Sequence, residues 1–131
     1  MFMARLFYIS IMILAVWACS SGKNATKTSA TVTKSSQDST EYEIIIIDPA
    51  FDQWYITNYT PAKDYPLEYY RGRNIIGVAN WNEYYRSGRY TRTILNEIDY
   101  QPNIDYGIEV NRKLFWYFRY IEETERIRVL W

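Results

Sequence analysis

Four carboxylates near the end of the chain are spaced for chemistry. Glu97 and Asp99 are two residues apart, which puts side chains on one face of a strand, and Asp105 and Glu109 are four apart, which puts them on one face of a helix. If that strand and helix meet, the four acids converge, and such a set would bind a divalent cation or supply a general acid and base. The spacing departs from the calcium-loop pattern, which draws its ligands from alternate positions within about twelve residues. The plainer reading makes Asp105 a helix cap and places Glu109 in the first turn, where the helix dipole favours acids. Tyr106 and Gly107 add a ring beside a residue whose missing Cβ permits close approach of a ligand or of a neighbouring ring. Asn111 adds an amide suited to buried hydrogen bonding. Asp99, Asp105, Tyr106, Glu109 and Asn111 therefore form the candidate functional cluster.

Most other chemistry is excluded by what the chain lacks. It contains no His and one Cys, so imidazole-dependent triads, His/Cys zinc sites and a disulfide within the monomer are all ruled out. After Thr40 the only Ser is Ser87 and the only Lys are Lys63 and Lys113, which leaves no spacing for a Ser-Lys pair. The 15 basic and 15 acidic residues cancel, so no basic face for nucleic acid is expected. No cofactor and no resident metal are expected. Aromatic residues are abundant, with 14 Tyr and 5 Trp. Trp54, Tyr55, Tyr59, Tyr65, Tyr69, Tyr70, Tyr84 and Tyr85 would either fill a core or, if exposed together, line a sugar-binding surface.

The elements that must position these residues begin near Glu41. Tyr42 to Ile47 reads as a strand, and its four consecutive Ile suggest burial on both faces. Asp48-Pro49 ends it, and residues 50–56 form a short helix with Phe51 and Trp54 toward the core. Leu67 to Tyr85 is helical by spacing, with Gly72 and Gly77 as potential breaks and Ser87-Gly88 as the stop. Residues 93–100 alternate like a second strand. The clearest helix follows, capped by Asn103 or Asp105 and reaching about Glu125. Its stripe is Val110, Leu114, Tyr117 and Ile121, flanked by Phe118, and Glu122 with Arg126 makes a favourable i,i+4 pair. The expected fold is a small single α+β domain, residues 41–131, with two strands and two principal helices. The pairing direction is left open.

Ahead of the domain lie an address and a spacer. Arg5 precedes an apolar run, Leu6 to Val16, which is too short to cross a bilayer as a helix and fits a secretory leader. The run ends in Val16-Trp17-Ala18-Cys19, which resembles the lipobox of bacterial lipoproteins, with Trp17 standing where a small residue is usual. That resemblance implies cleavage of the signal peptide 1–18 and lipid on Cys19, where several acyl chains anchor more firmly than one. An uncut signal-anchor and ordinary cleavage leaving a free thiol are the alternatives. Residues 19–40 then carry Ser, Thr and Lys with little apolar bulk and read as a flexible tether reaching about 25 Å.

Three blocks carry a further resemblance: residues 41–54, Trp81-Asn82, and residues 98–111. Together they look like a family of short, uncharacterised lipoproteins of Bacteroidota, a domain of unknown function. The resemblance implies a lineage and a cell-envelope location but no activity. It also implies the outer-membrane leaflet facing the periplasm, because Ser20 to Asn24 lacks the acidic residues that mark surface export. Asp38-Ser39-Thr40 is similar to that phylum's O-glycosylation signal, which makes Ser39 the candidate acceptor. The expected function is that of a non-catalytic envelope lipoprotein, held to the membrane by its lipid and serving an envelope protein partner. The alternative is a glycan- or peptidoglycan-binding module using exposed Tyr and Trp. A carboxylate-dependent hydrolase is the third reading.

Overall fold

Asp48 and Pro49 turn the chain from strand into helix. The Asp48 carboxylate accepts hydrogen bonds from the Ala50 and Phe51 amides at 3.0 and 3.3 Å, and Pro49 stands in the first turn, where it has no amide to satisfy. The computed structural model of the chain describes residues 29–34 and 42–131. The expectations for the leader 1–18, for Cys19 and for Ser39 lie outside the described residues.

Ahead of Asp48, β1 (Ser29–Lys34) and β2 (Tyr42–Ile47) pair antiparallel, with Ser29 opposite Ile47 and Lys34 opposite Tyr42. After it come α1 (Pro49–Asn58), a 3-10 turn at Pro61–Lys63, α2 (Leu67–Arg86) and α3 (Gly107–Thr124). This is the small α+β domain that the periodicity implies, with two strands, two principal helices and one shorter helix. None of the described helices is long and apolar enough to cross a membrane.

The core is built on α3. Val110, Leu114, Tyr117, Phe118 and Ile121 are buried as a stripe, and α2 faces them with Tyr70, Gly77, Val78 and Trp81. Gly77 does not break α2, because the crossing requires it. A Cβ there would stand 2.6 Å from ring carbons of Phe118 and 3.2 Å from Leu130. A two-stranded hairpin is marginal alone, and this one gains its place by burying Ala30 and Ile44 in the shared core.

Four expectations need correction. The tether assigned to residues 19–40 contains β1, whose Ala30 and Val32 alternate inward while Ser29, Thr31 and Thr33 face the other way. The four Ile of β2 are buried on one face only: Ile44 is buried, whereas Ile45 and Ile47 are exposed, since no second layer among the described residues covers the hairpin. Residues 93–100 form no strand. Ile94, Ile98 and Tyr100 are buried, so the alternation is real, but side chains rather than a neighbouring strand satisfy the backbone. Asn82 donates to the Ile98 carbonyl at 2.9 Å and accepts from its amide at 2.8 Å, and the Trp81 indole donates to the Asn96 carbonyl at 2.8 Å. Asn96 in turn reaches β1, donating to the Ala30 carbonyl at 2.9 Å.

Fourth, Glu122 does not pair with Arg126. The chain leaves α3 through a left-handed Arg126, φ 59°, and returns along the core with Ile127, Val129 and Leu130 buried. Glu122 holds that return by accepting the Val129 and Leu130 amides at 2.9 and 2.8 Å. Asn80 adds a bond to the Val129 carbonyl at 2.7 Å.

Candidate functional site

The four acids do not converge. Glu97 pairs with Arg86 at 3.1 Å, Glu109 pairs with Arg112 at 2.6 Å, and Asp99 is exposed. Asp105 accepts the Gly107 amide at 3.0 Å, one residue before the capping position held by Tyr106, so Asn103 is not the cap. Gly107 opens α3 at φ 76°, a conformation that favours glycine. Among the described residues no group of three or more His, Cys, Asp or Glu is placed to hold a metal ion.

Tyr106 and Asn111 belong to the interior. Tyr106 stacks on Tyr100 at 4.8 Å and accepts the Gln101 amide at 2.9 Å. The Asn111 side chain accepts from the Tyr100 hydroxyl at 2.7 Å and from Asn74 at 3.2 Å, and donates to the Gly107 carbonyl at 2.8 Å. Asn74 also donates to the Asn111 carbonyl at 2.8 Å. Burial pushes the Tyr100 hydroxyl up to about 12, so it stays a proton donor at any ordinary pH. This knot locks α2, α3 and the 93–106 segment together, and its one atom without a hydrogen-bond partner, Asn74 Oδ1, is fully buried away from any ligand.

A groove of about 560 Å³ opens elsewhere, between α1, the 3-10 turn, α3 and the returning C-terminal segment. Its volume falls within the range of small-molecule sites. Phe115 and Trp116 form the buried floor, and Trp54, Tyr65, Tyr69 and Trp131 stand around it. Tyr65 and Tyr69 stack at 4.4 Å, and the Arg73 guanidinium lies 3.7 Å over the Trp131 ring. The polar lining comes from Asn58, Lys63, Asp64, Arg119 and Glu123.

One side of the groove is fixed by Asp64. Arg112 grips it with two bonds, Nε to Oδ1 at 3.0 Å and Nη2 to Oδ2 at 2.8 Å, while the Tyr70 hydroxyl donates at 2.6 Å and the Tyr65 amide at 3.1 Å. The Arg112 and Tyr70 hydrogen bonds hold the Asp64 carboxyl down at about 2. Asp64 is therefore a fixed anion that cannot act as a general acid near neutral pH. Arg119 is less committed. Its ion pair spans 3.8 Å, to a Glu122 already bonded to two amides. The groove thus offers ring faces, hydrogen-bonding groups and a loosely held guanidinium, which is the chemistry of binding.

Of the eight aromatics singled out by sequence, Trp54, Tyr65 and Tyr69 line this groove. Tyr55 and Tyr59 stack on each other at 5.1 Å beside Trp116, and Tyr70 is core. Tyr84 lies apart, bonded to the Arg128 carbonyl at 2.9 Å, and Tyr85 is exposed. Trp131, Arg119 and Glu123 were not singled out. An aromatic closing the apolar Ile127, Val129 and Leu130 was the available signal for Trp131.

A family model described as a family of unknown function, DUF6146, matches residues 6–130. No curated protein and no solved structure matches the chain. With nearly its whole length matched, the chain belongs to the DUF6146 family, whose function is unknown.

Proposed function

We propose that this protein is a non-catalytic binding component of a bacterial cell envelope, anchored by lipid on Cys19, and that it holds a saccharide in the aromatic groove. The observation that carries the reading is the convergence of Trp54, Tyr65, Tyr69 and Trp131 on one open cleft edged by amide and charged side chains. Flat rings match the C–H faces of pyranoses, and the polar edge matches their hydroxyls. The engagement of Asp64 by Arg112 leaves Glu123 without a second uncommitted carboxylate in the lining, short of the pair that glycoside hydrolysis uses, which supports a binder over a hydrolase.

The anchor and location rest on the lipobox-like Val16 to Cys19 and on the resemblance to Bacteroidota lipoproteins. The matched family region begins at residue 6, so the apolar leader belongs to it. The lack of acids from Ser20 to Asn24 favours the periplasmic leaflet of the outer membrane. Cys19→Ser should release the protein from the membrane fraction. A mature protein that keeps its first methionine, or carries an unmodified Cys19 thiol, would sink the anchor.

The groove is tested by following tryptophan emission of the full-length lipidated protein in detergent during titration with oligosaccharides, alongside retention on isolated sacculi. A saturable change that disappears in Tyr69→Ala is expected. Flat titrations with neutral and acidic oligosaccharides alike, together with no retention, would overturn the reading. A protein partner is the second reading, favoured by the exposed Ile45 and Ile47 on the outer face of the hairpin. Cross-linking in cells that captures one stoichiometric protein through that face would support it.

A further inference from the structure

We infer that the saccharide this groove takes is acidic, with Arg119 receiving its carboxylate. The inference rests on the saccharide reading and adds charge to it. Three cations border the groove or its rings: Lys63 and Arg119 line it, and Arg73 lies over Trp131 at 3.7 Å and over Tyr69 at 5.6 Å. Against them, the Asp64 carboxylate is already neutralised by the two bonds from Arg112, which leaves Glu123 as the one lining acid to set against three cations. Glu122, the nearest acid to Arg119, has one oxygen on two backbone amides and offers the other only at 3.8 Å. Arg73 makes ring contacts and has no carboxylate within ion-pair distance among the described residues.

A guanidinium is a planar fork of donors that matches a carboxylate with two parallel bonds. Arg119 is about half exposed and lines the groove, so a carboxylate there would gain a partner without displacing a firm one. Arg73 adds positive potential on the rings themselves, since cation–π contact leaves its charge uncompensated. A neutral sugar would use only the rings and hydrogen bonds to its hydroxyls. An acidic one would use the charge as well.

The test compares neutral chito-oligosaccharides, oligogalacturonates of equal ring number, and polyglutamate as an anion without rings. All three are titrated into the full-length lipidated protein at low and high salt. A charged hydrogen-bonded contact should make the oligogalacturonate bind at least about tenfold tighter than the neutral sugar at low salt. Salt should shrink the gap. Arg119→Gln should remove it, lowering oligogalacturonate affinity about tenfold more than neutral-sugar affinity, with thermal stability unchanged. Equal affinity for the two sugars, or equal loss of both in Arg119→Gln, overturns the acidic ligand and leaves the saccharide reading standing. Polyglutamate binding as tightly as oligogalacturonate overturns it in favour of a plain anion site. Binding of neither sugar overturns both readings.

Discussion

Two regions of this molecule mix rings with polar side chains, and they end in opposite states. Around Asn111, each polar atom of that side chain meets an internal partner, and Tyr100 and Tyr106 close over it. Above the buried floor of Phe115 and Trp116, the rings of Tyr65 and Trp131 stay open to solvent and Arg119 keeps only a long contact. The first arrangement stabilises a fold because every buried donor is answered. The second leaves donors and ring faces for something else. Residue types alone do not separate the two; what separates them is whether the polar groups already have partners inside the protein.

The sharpest way to break this comparison is at the knot. Asn111→Ala would orphan the Tyr100 hydroxyl, at about 1–3 kcal/mol, leave the Asn74 amide only its bond to the Asn111 carbonyl, and open a cavity in the core. Denaturant unfolding should show a loss of about 3 kcal/mol or more. A loss below about 1 kcal/mol would mean that the knot is not structural. Gly77→Ala comes next, because a methyl must enter a 2.6 Å gap against a fully buried Phe118 ring. Overpacking of about 1–3 kcal/mol should outweigh the helix-propensity gain of about 1 kcal/mol. An unchanged melting temperature would show that the crossing yields.

Arg112→Ala tests the groove's fixed side. It should weaken saccharide binding by displacing Tyr65, and it should also change the acid limb of stability. Asp64 is held below its unfolded value, down to about 2, so its contribution is present above about pH 4. That contribution is lost as pH falls toward 2, and removing Arg112 should flatten this window. An identical acid limb in the variant would show that the pair does not govern it. The smallest stability effect is expected for Trp131→Ala. The ring is 56% exposed, so the cost should stay under about 1 kcal/mol, mainly the Arg73 contact, while saccharide affinity falls. A large unfolding penalty with intact binding would reverse the assignment of the two regions.

The helices were legible because their signals are local. Asp48-Pro49 and the 3.6-residue stripe of α3 depend on neighbours within a turn or two. β1 was not legible, since Ser-Ala-Thr-Val-Thr-Lys has the composition of the spacer around it, and only pairing with the Ile strand identifies it. Residues 93–100 misled for the converse reason: alternation reports burial, and here Asn82 and Trp81 side chains answer the backbone that a strand would have answered. Half of the groove was visible in the list of rings. The rest depends on the return of residues 125–131, set by a left-handed Arg126 and a glutamate that reaches seven and eight residues ahead, to Val129 and Leu130.

The position of β1 also sets a leash. Its first residue, Ser29, comes ten positions after Cys19, and ten residues of chain cover at most about 35 Å even when drawn taut. A body moored at that cysteine would patrol only a shallow layer above the headgroups, less than the full spacer would have allowed. With the proposed lipid on Cys19, a saccharide held in the groove would be kept close to the headgroups, and a longer cord would change how far out it could be held.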